Sequence, residues 1–390
     1  MSDAWRATLY LSAYFFAFGM QLPYLPVWLA DVRGLDGAAI AAAVFGAALG
    51  RIVTGPIITL WAEARPWRIA AAGLSLASAA GYAALLFAPH PVAIALAGFA
   101  TLSIVHAIMP LGEAALLQAT RSGLGPSFGF GRALGSVVFV GGVLLGGVAI
   151  DRLGSNSLVP LLIGFSLATA ALALLAPKTP LATGVKRGPW IRFKAGMKVF
   201  TQPSLRLMLF AIAPVQASHA FYYAFSAVIW REQGASGALT SLLWGMGVVT
   251  EILLLAFAVR LPAWATPERL ILAGAAGGLI RWSWMGLQPD FMTAFALQLL
   301  HGLSFAATFL GTVRLVERDA PPEERAAAFA FQAALATGAF TGVIGLVAGP
   351  LYDAAGVRGY WAMAGLCAFA TFIAILMTRR SASNFPVLAR

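Results

Sequence analysis

Residues 242–260 read LLWGMGVVTEILLLAFAVR. The run is apolar enough to lie in lipid, yet it holds one carboxylate, Glu251, near its middle. A charge at the centre of a bilayer costs about 2.5–3.5 kcal/mol on insertion scales, so it needs a partner or a purpose. Ionisable side chains recur in the neighbouring apolar runs as His219, Arg281 and His301. Four consecutive helices would then each place one such group near mid-depth. The four are expected to form a buried polar cluster, with Glu251 as proton carrier.

Composition supports the membrane reading. The 390 residues are 60% hydrophobic and only 11% charged, whereas soluble domains carry about 25% charged residues. Apolar runs of about 20 residues read as transmembrane helices. Twelve are expected, over 7–30, 37–61, 67–88, 91–117, 126–149, 157–176, 204–231, 237–260, 267–287, 290–316, 324–351 and 357–379. No cleavable leader is expected, because the first run continues through Gln21-Leu22-Pro23 to Trp28 without a small-residue cleavage site. The fold class is thus an all-α membrane protein of twelve transmembrane helices. One longer connection, within 177–203, carries six Lys/Arg and no acid. It is expected to be a cytoplasmic linker on an anionic leaflet, separating a six-helix bundle over 1–176 from a second over 204–390.

Charge sets the orientation. Of the 26 Lys/Arg, four fall inside spans, and the far side holds only Arg33, Arg152, Arg231 and Arg358. The other eighteen share the side of the N-terminus, so both termini are expected in the cytoplasm. The net charge of +11 follows from this topology, and no nucleic-acid partner is expected. One cysteine, Cys367, and four scattered histidines exclude a disulfide framework and argue against a metal site. No cofactor is expected beyond a proton gradient as energy source.

The halves show a weak repeat. Span 5 leaves through GGVLLGGVAIDRLG, ending at Gly154, and span 11 through GVIGLVAGPLYDAAG, ending at Gly356. Each is a glycine-spaced helix running into Asp-x-x-Gly. Small residues at this spacing let helices approach closely, so packing alone would account for it. A parallel repeat of two bundles, with the substrate at mid-depth, would account for it too.

A second group of charges lies in the first half. Glu113 on span 4 and Arg132 on span 5 flank the same inner loop, so they should sit at similar depth and pair. The pair either fixes helix register or lines a cavity where Arg132 meets substrate. Arg51 on span 2 is either part of an inner gate or a cavity residue. Arg314, near the inner end of span 10, can snorkel. Arg51, Arg132 and Arg281 outnumber Glu113 and Glu251, which favours an anionic ligand. The stretch QASHAFYY over 216–223 places Gln216, Tyr222 and Tyr223 beside His219, and Tyr14 is at a comparable level on span 1. With Gln298 on span 10, these are the further substrate candidates. A carboxylate-bearing aromatic acid suits the set.

The chain resembles the major facilitator superfamily, and within it the bacterial phenylpropionate:proton symporter group. The resemblance rests on FGFGRALGSVVF (128–139), QASHAFYYAFSAVIW (216–230), LWGMGVVTE (243–251), LIRWSWMG (279–286) and Leu300-His301-Gly302, in that order. It implies a proton-coupled importer of 3-phenylpropionate-like acids in the bacterial cytoplasmic membrane, working as a monomer by alternating access. The ligand would lie between spans 1, 4, 5, 7, 8, 10 and 11. Against the wider lactose permease group, Glu113 and Arg132 match a sugar-binding pair, and Glu251, Arg281 and His301 match a coupling set. The span-10 pattern departs from that group: it reads Gln298-x-x-His301-x-x-Ser304, without that group's proton-carrying carboxylate, which leaves Glu251 in that role. Span 5 lacks the sugar-stacking Trp, and GPIITLWAEAR (55–65) is a degenerate form of the usual loop motif. A nucleoside or sugar symporter and a drug exporter on the same fold are the alternatives. A membrane enzyme would need a catalytic set that the loops do not supply, and a sensor or scaffold would not transport.

Overall fold

The computed structural model describes residues 1–177, 194 and 196–384, without the side chains of residues 51, 52 and 382–384. The expected linker, 177–203, therefore lies largely outside the described residues. Among those described, every regular element is helical. In chain order they are α1 (Asp3–Asp31), α2 (Gly37–Glu63), α3 (Trp67–Phe87), α4 (Pro91–Thr120), α5 (Phe128–Leu153), α6 (Leu158–Ala173), α7 (Pro203–Glu232), α8 (Gly237–Ala256) and α9 (Pro267–Met285). Then come α10 (Phe291–Asp319), α11 (Arg325–Gln332, continuing through Thr341–Ala355) and α12 (Tyr360–Asn384). Seven stretches are long and apolar enough to cross a bilayer, one of them the continuous Arg325–Ser381 that contains both α11 and α12; the bent α2 makes eight.

The sequence punctuates these helices where capping chemistry requires. Asp36, Ser127, Thr266 and Asp290 sit at N-caps, with side-chain oxygens accepting backbone N–H groups three residues on. At exposed Asp290 the Thr293 amide and hydroxyl hold the carboxyl below its usual range. α10 and α11 each widen into a π-helix, at Gly302–Ala307 and Ala333–Phe340. Such turns concentrate at functional sites, and the apolar pattern gives no warning of them. α8 also ends earlier than its apolar run. The chain leaves it at Ala256 and tightens into a 3-10 turn at Ala258–Arg260 ahead of Pro262. Glu251 therefore sits in the last third of α8 rather than near its centre, because hydrophobicity continues past the point where helical bonding stops.

The chain forms two compact units. The first comprises Met1–Val185, Tyr223–Gly245 and Leu346–Asp353. The second comprises Lys186–Tyr222, Met246–Gly345 and Ala354–Arg390.

In the first unit α1 packs along α5. A Cβ at Gly19 would meet the Phe139 carbonyl, and one at Gly142 the Phe16 carbonyl, so side chains at these two positions would force the backbones apart. The two Asp-x-x-Gly exits perform the same task twice in this unit. Asp151, in the last turn of α5, accepts from the Gly237 and Ala238 amides at 2.6 and 2.9 Å. Asp353, in the last turn of α11, accepts from the Gly37 and Ala38 amides at 2.7 and 2.9 Å. Each carboxylate thus caps the N-terminus of another helix, where unpaired amides and the helix dipole favour negative charge. One turn before each Asp, a glycine meets a glycine: Gly147 against Gly237, and Gly349 against Gly37. Three residues after each Asp, Gly154 and Gly356 end their helices at φ 79° and 54°. The weak sequence repeat is therefore a repeated capping device as well as close packing.

The core of the second unit lies where the ends of α7, α9, α10, α11 and α12 meet, around Leu205, Met208, Ile271, Leu315, Phe331 and Met377. α9 carries the contacts with α12 and α10, which places Arg281 in the interior. Arg314 donates to the Ala258 carbonyl at 2.8 Å, in the connection between α8 and α9.

Loss of a cap carboxylate typically costs about 1 kcal/mol. Asp151→Ala and Asp353→Ala should each lower the melting temperature of purified protein, and the Asn versions should lose less. A melting curve unmoved by both Ala substitutions would remove the capping role.

Candidate functional site

Arg281 is the most demanding residue in the second unit, because its guanidinium is fully buried. Arg carries five N–H donors and no acceptor, so every polar partner must accept. Nη1 lies 2.9 Å from His301 Nδ1, and Nη2 donates to the Gln298 Oε1. Gln298, itself fully buried, is held in turn by its amide donating to the Ala294 carbonyl at 2.9 Å. The flat faces of the guanidinium are covered by the Tyr222 and Trp282 rings, at 4.6 and 4.3 Å from their centroids. Aromatic quadrupoles attract a desolvated cation.

These contacts fix protonation states. Since Arg281 can only donate, Nδ1 of His301 must accept, and the ring is neutral with its proton on Nε2. His219 stands beside it, ring centroids 5.3 Å apart. Its Nδ1 lies 2.9 Å from the Val215 carbonyl, which can only accept, so Nδ1 carries the proton. Its Nε2, 3.2 Å from the Ser304 Oγ, is then free to accept. A proton delivered to Nδ1 of His301 must displace the Arg281 bond, so cation and proton compete for one lone pair.

The structure thus brings together Arg281, His301, His219, Gln298 and Tyr222 in one buried cluster. α8 borders it through Gly247. The ring of His301 lies against Gly247, where an added Cβ would be 3.3 Å away. Glu251, four residues on, shares that face of α8 one turn along and is half-buried. Trp282 and Ser304 belong to the cluster and were not singled out as candidates from sequence. Trp282 could have been found as the neighbour of a buried Arg, since its indole N–H donates to Ser218 at 2.8 Å. Ser304 stands in the Gln-x-x-His-x-x-Ser pattern, where it reads only as a missing carboxylate.

In the first unit, Glu113 and Arg132 pair as expected, Oε1 to Nε at 2.7 Å. Both remain about a third exposed, at 29% and 36%. The Arg132 guanidinium lies over Phe15 at 4.8 Å and donates to Ser136 at 3.0 Å. The pair is therefore only partly enclosed. Tyr14 is buried, stacked on Phe18 at 5.6 Å, and lines a small cleft with Ser75, Ser78 and Tyr82. Tyr223 packs on Trp244 at 5.9 Å in the first unit. Gln216, in the second, accepts from Thr337 at 3.1 Å, within the π-helical part of α11. The Arg51 side chain lies outside the described residues. Among those described, no group of three His, Cys, Asp or Glu side chains is arranged to hold a metal.

Residues 5–363 match the model of the MFS_1 like family, and the chain belongs to that family. It is a transporter of the major facilitator type and not an enzyme. It is similar to a probable 3-phenylpropionic acid transporter of Escherichia coli (strain K12), 26% identical over 378 residues that cover 95% of this chain and 97% of the other. It is also similar to the maltose permease of Geobacillus stearothermophilus, 26% identical over 376 residues, covering 93% and 91%. Among solved structures, the nucleoside transporter NupG superposes with a TM-score of 0.84 over 97% of this chain and all of that one, at 13% identity. At that identity the likeness concerns the fold alone.

Gln298→Leu should be strongly destabilising, because it strips an acceptor from a charge that stays buried. Leaving a buried donor without its acceptor costs about 1–3 kcal/mol, and more when the donor is charged. Arg281→Met combined with Gln298→Leu should recover part of the loss in a thermal double-mutant cycle. Strict additivity of the two single effects would show that the pair is not coupled.

Proposed function

We propose that this chain is a proton-coupled symporter that imports a small organic anion, best matched by a 3-phenylpropionate-like aromatic acid. It would work by alternating access in a bacterial cytoplasmic membrane, through twelve spans with both termini inside. The observation that carries the reading is the buried Arg281, whose bond to His301 requires a neutral imidazole. A fixed cation sharing a lone pair with a titratable ring turns proton arrival into a change of contacts. Glu251, half-buried on the same face of α8 that meets His301, is the carboxylate through which the proton arrives. Loading it removes a negative charge one turn along α8 from the glycine that meets His301. That event biases the transport equilibrium only as far as the two states differ in proton affinity.

Substrate recognition is assigned to Arg132 and Glu113. Their accessible ion pair can exchange the Glu113 carboxylate for that of a ligand, and a guanidinium receives a carboxylate as a fork. Phe15, already against Arg132, offers a ring face to an aromatic acid. The similarity to a probable 3-phenylpropionic acid transporter supports this class of ligand. A sugar or nucleoside is the competing class. Neither needs the excess of arginines over carboxylates that the spans carry.

The test is uptake of radiolabelled 3-phenylpropionate, maltose and uridine by proteoliposomes, with and without an inward proton gradient. The aromatic acid should accumulate only with the gradient. Glu251→Gln should abolish accumulation while counterflow exchange survives; undiminished uphill uptake would remove Glu251 from its role. Arg132→Lys keeps the charge but not the fork, and should raise the apparent KM about tenfold, the effect of roughly 1.4 kcal/mol. An unchanged KM would remove Arg132 from the binding site.

A further inference from the structure

Thr250 sits beside Glu251 on α8, in a run otherwise made of apolar residues and glycine. Its hydroxyl is used twice. Oγ1 donates to the Gly247 carbonyl at 2.8 Å, one turn back on its own helix. It also accepts from the backbone N–H of Gly302 at 3.1 Å, across on α10. Gly302 follows His301 and opens the π-helical segment Gly302–Ala307. The two helices touch closely here. A Cβ at Gly302 would come within 2.9 Å of the Thr250 carbonyl oxygen, and one at Gly247 within 3.3 Å of the His301 ring.

Resting on the symport reading above, we propose that Thr250 is the positioning residue that couples Glu251 to the Arg281–His301 contact. The hydroxyl binds the first amide of the wide turn to the residue that precedes Glu251. Any shift of α8 when Glu251 changes charge is thereby delivered to the backbone beside His301. His301 holds its bond to Arg281 through a single lone pair, so a small displacement suffices to break it. A hydroxyl suits this link because it donates backward and accepts sideways at once. Valine has the same shape and does neither. Thr250 itself neither carries the proton nor touches the ligand.

Three substitutions separate this role from packing. In proteoliposomes loaded for uptake of radiolabelled 3-phenylpropionate, Thr250→Val should lower the accumulation ratio about tenfold. This is the effect of losing roughly 1.4 kcal/mol, about one hydrogen bond across the partly buried contact with Gly302. Counterflow exchange should stay within about twofold of the parent, since binding and reorientation remain. Thr250→Ser should restore accumulation, and exchange by Thr250→Val should lose its dependence on external pH. Thr250→Ala, which is smaller, should reproduce the Val result and takes its place if Val fails to reach the membrane. Full accumulation in Thr250→Val or Thr250→Ala, or a loss in Thr250→Ser as large as theirs, would overturn the proposal. The same assay on Glu251→Gln keeps the two ideas apart. If Glu251→Gln uncouples while Thr250→Val does not, only the role of Thr250 falls. If Glu251→Gln accumulates normally, the symport reading itself falls.

Discussion

A guanidinium out of reach of water is the constraint from which the second unit follows. Arg281 cannot lose its proton and cannot accept a hydrogen bond. Its surroundings must therefore supply acceptors and ring faces, and they do: the His301 Nδ1, the Gln298 Oε1, and the rings of Tyr222 and Trp282. Each of these is positioned by something further out. Gln298 leans on the Ala294 carbonyl, and the Trp282 indole on Ser218. Trp282 stacks in turn on Tyr360 at 5.5 Å. The cluster is expensive to bury and its members share hydrogen bonds and ring contacts, so a change at one member is felt at the others.

The first unit is governed by a simpler rule, used twice. A helix ending in Asp-x-x-Gly offers its carboxylate to the open amides of another helix, and a glycine one turn earlier lets the two backbones meet. At the first of these contacts the buried Tyr24 and Ser241 hydroxyls add bonds to the Gly237 and Val143 carbonyls. The ion pair of Glu113 and Arg132 adds a close contact of 2.7 Å between two partly exposed side chains.

Much of this was legible in the sequence because lipid is an unforgiving solvent. Apolar length located the helices, and the rarity of charge made Glu113, Arg132, Glu251, Arg281 and His301 stand out. Adjacency across a short loop was enough to pair Glu113 with Arg132. What stayed hidden has local causes. The α8 run keeps its hydrophobicity beyond Ala256, so composition placed Glu251 too near the centre. A lone threonine in an apolar run carries no signal of the amide it receives, which left Thr250 unnoticed. The π-helices at Gly302–Ala307 and Ala333–Phe340 arise from hydrogen-bond register, which periodicity does not encode.

The central claim is that these buried groups exist to move a proton together with an organic anion. Its most direct measurement is the external pH of weakly buffered proteoliposomes, clamped at zero membrane potential, when 3-phenylpropionate is added. The account predicts alkalinisation of the outside that exceeds the signal of protein-free vesicles and tracks the entry of labelled acid. Protein-dependent entry of the labelled acid with no accompanying proton movement would contradict it.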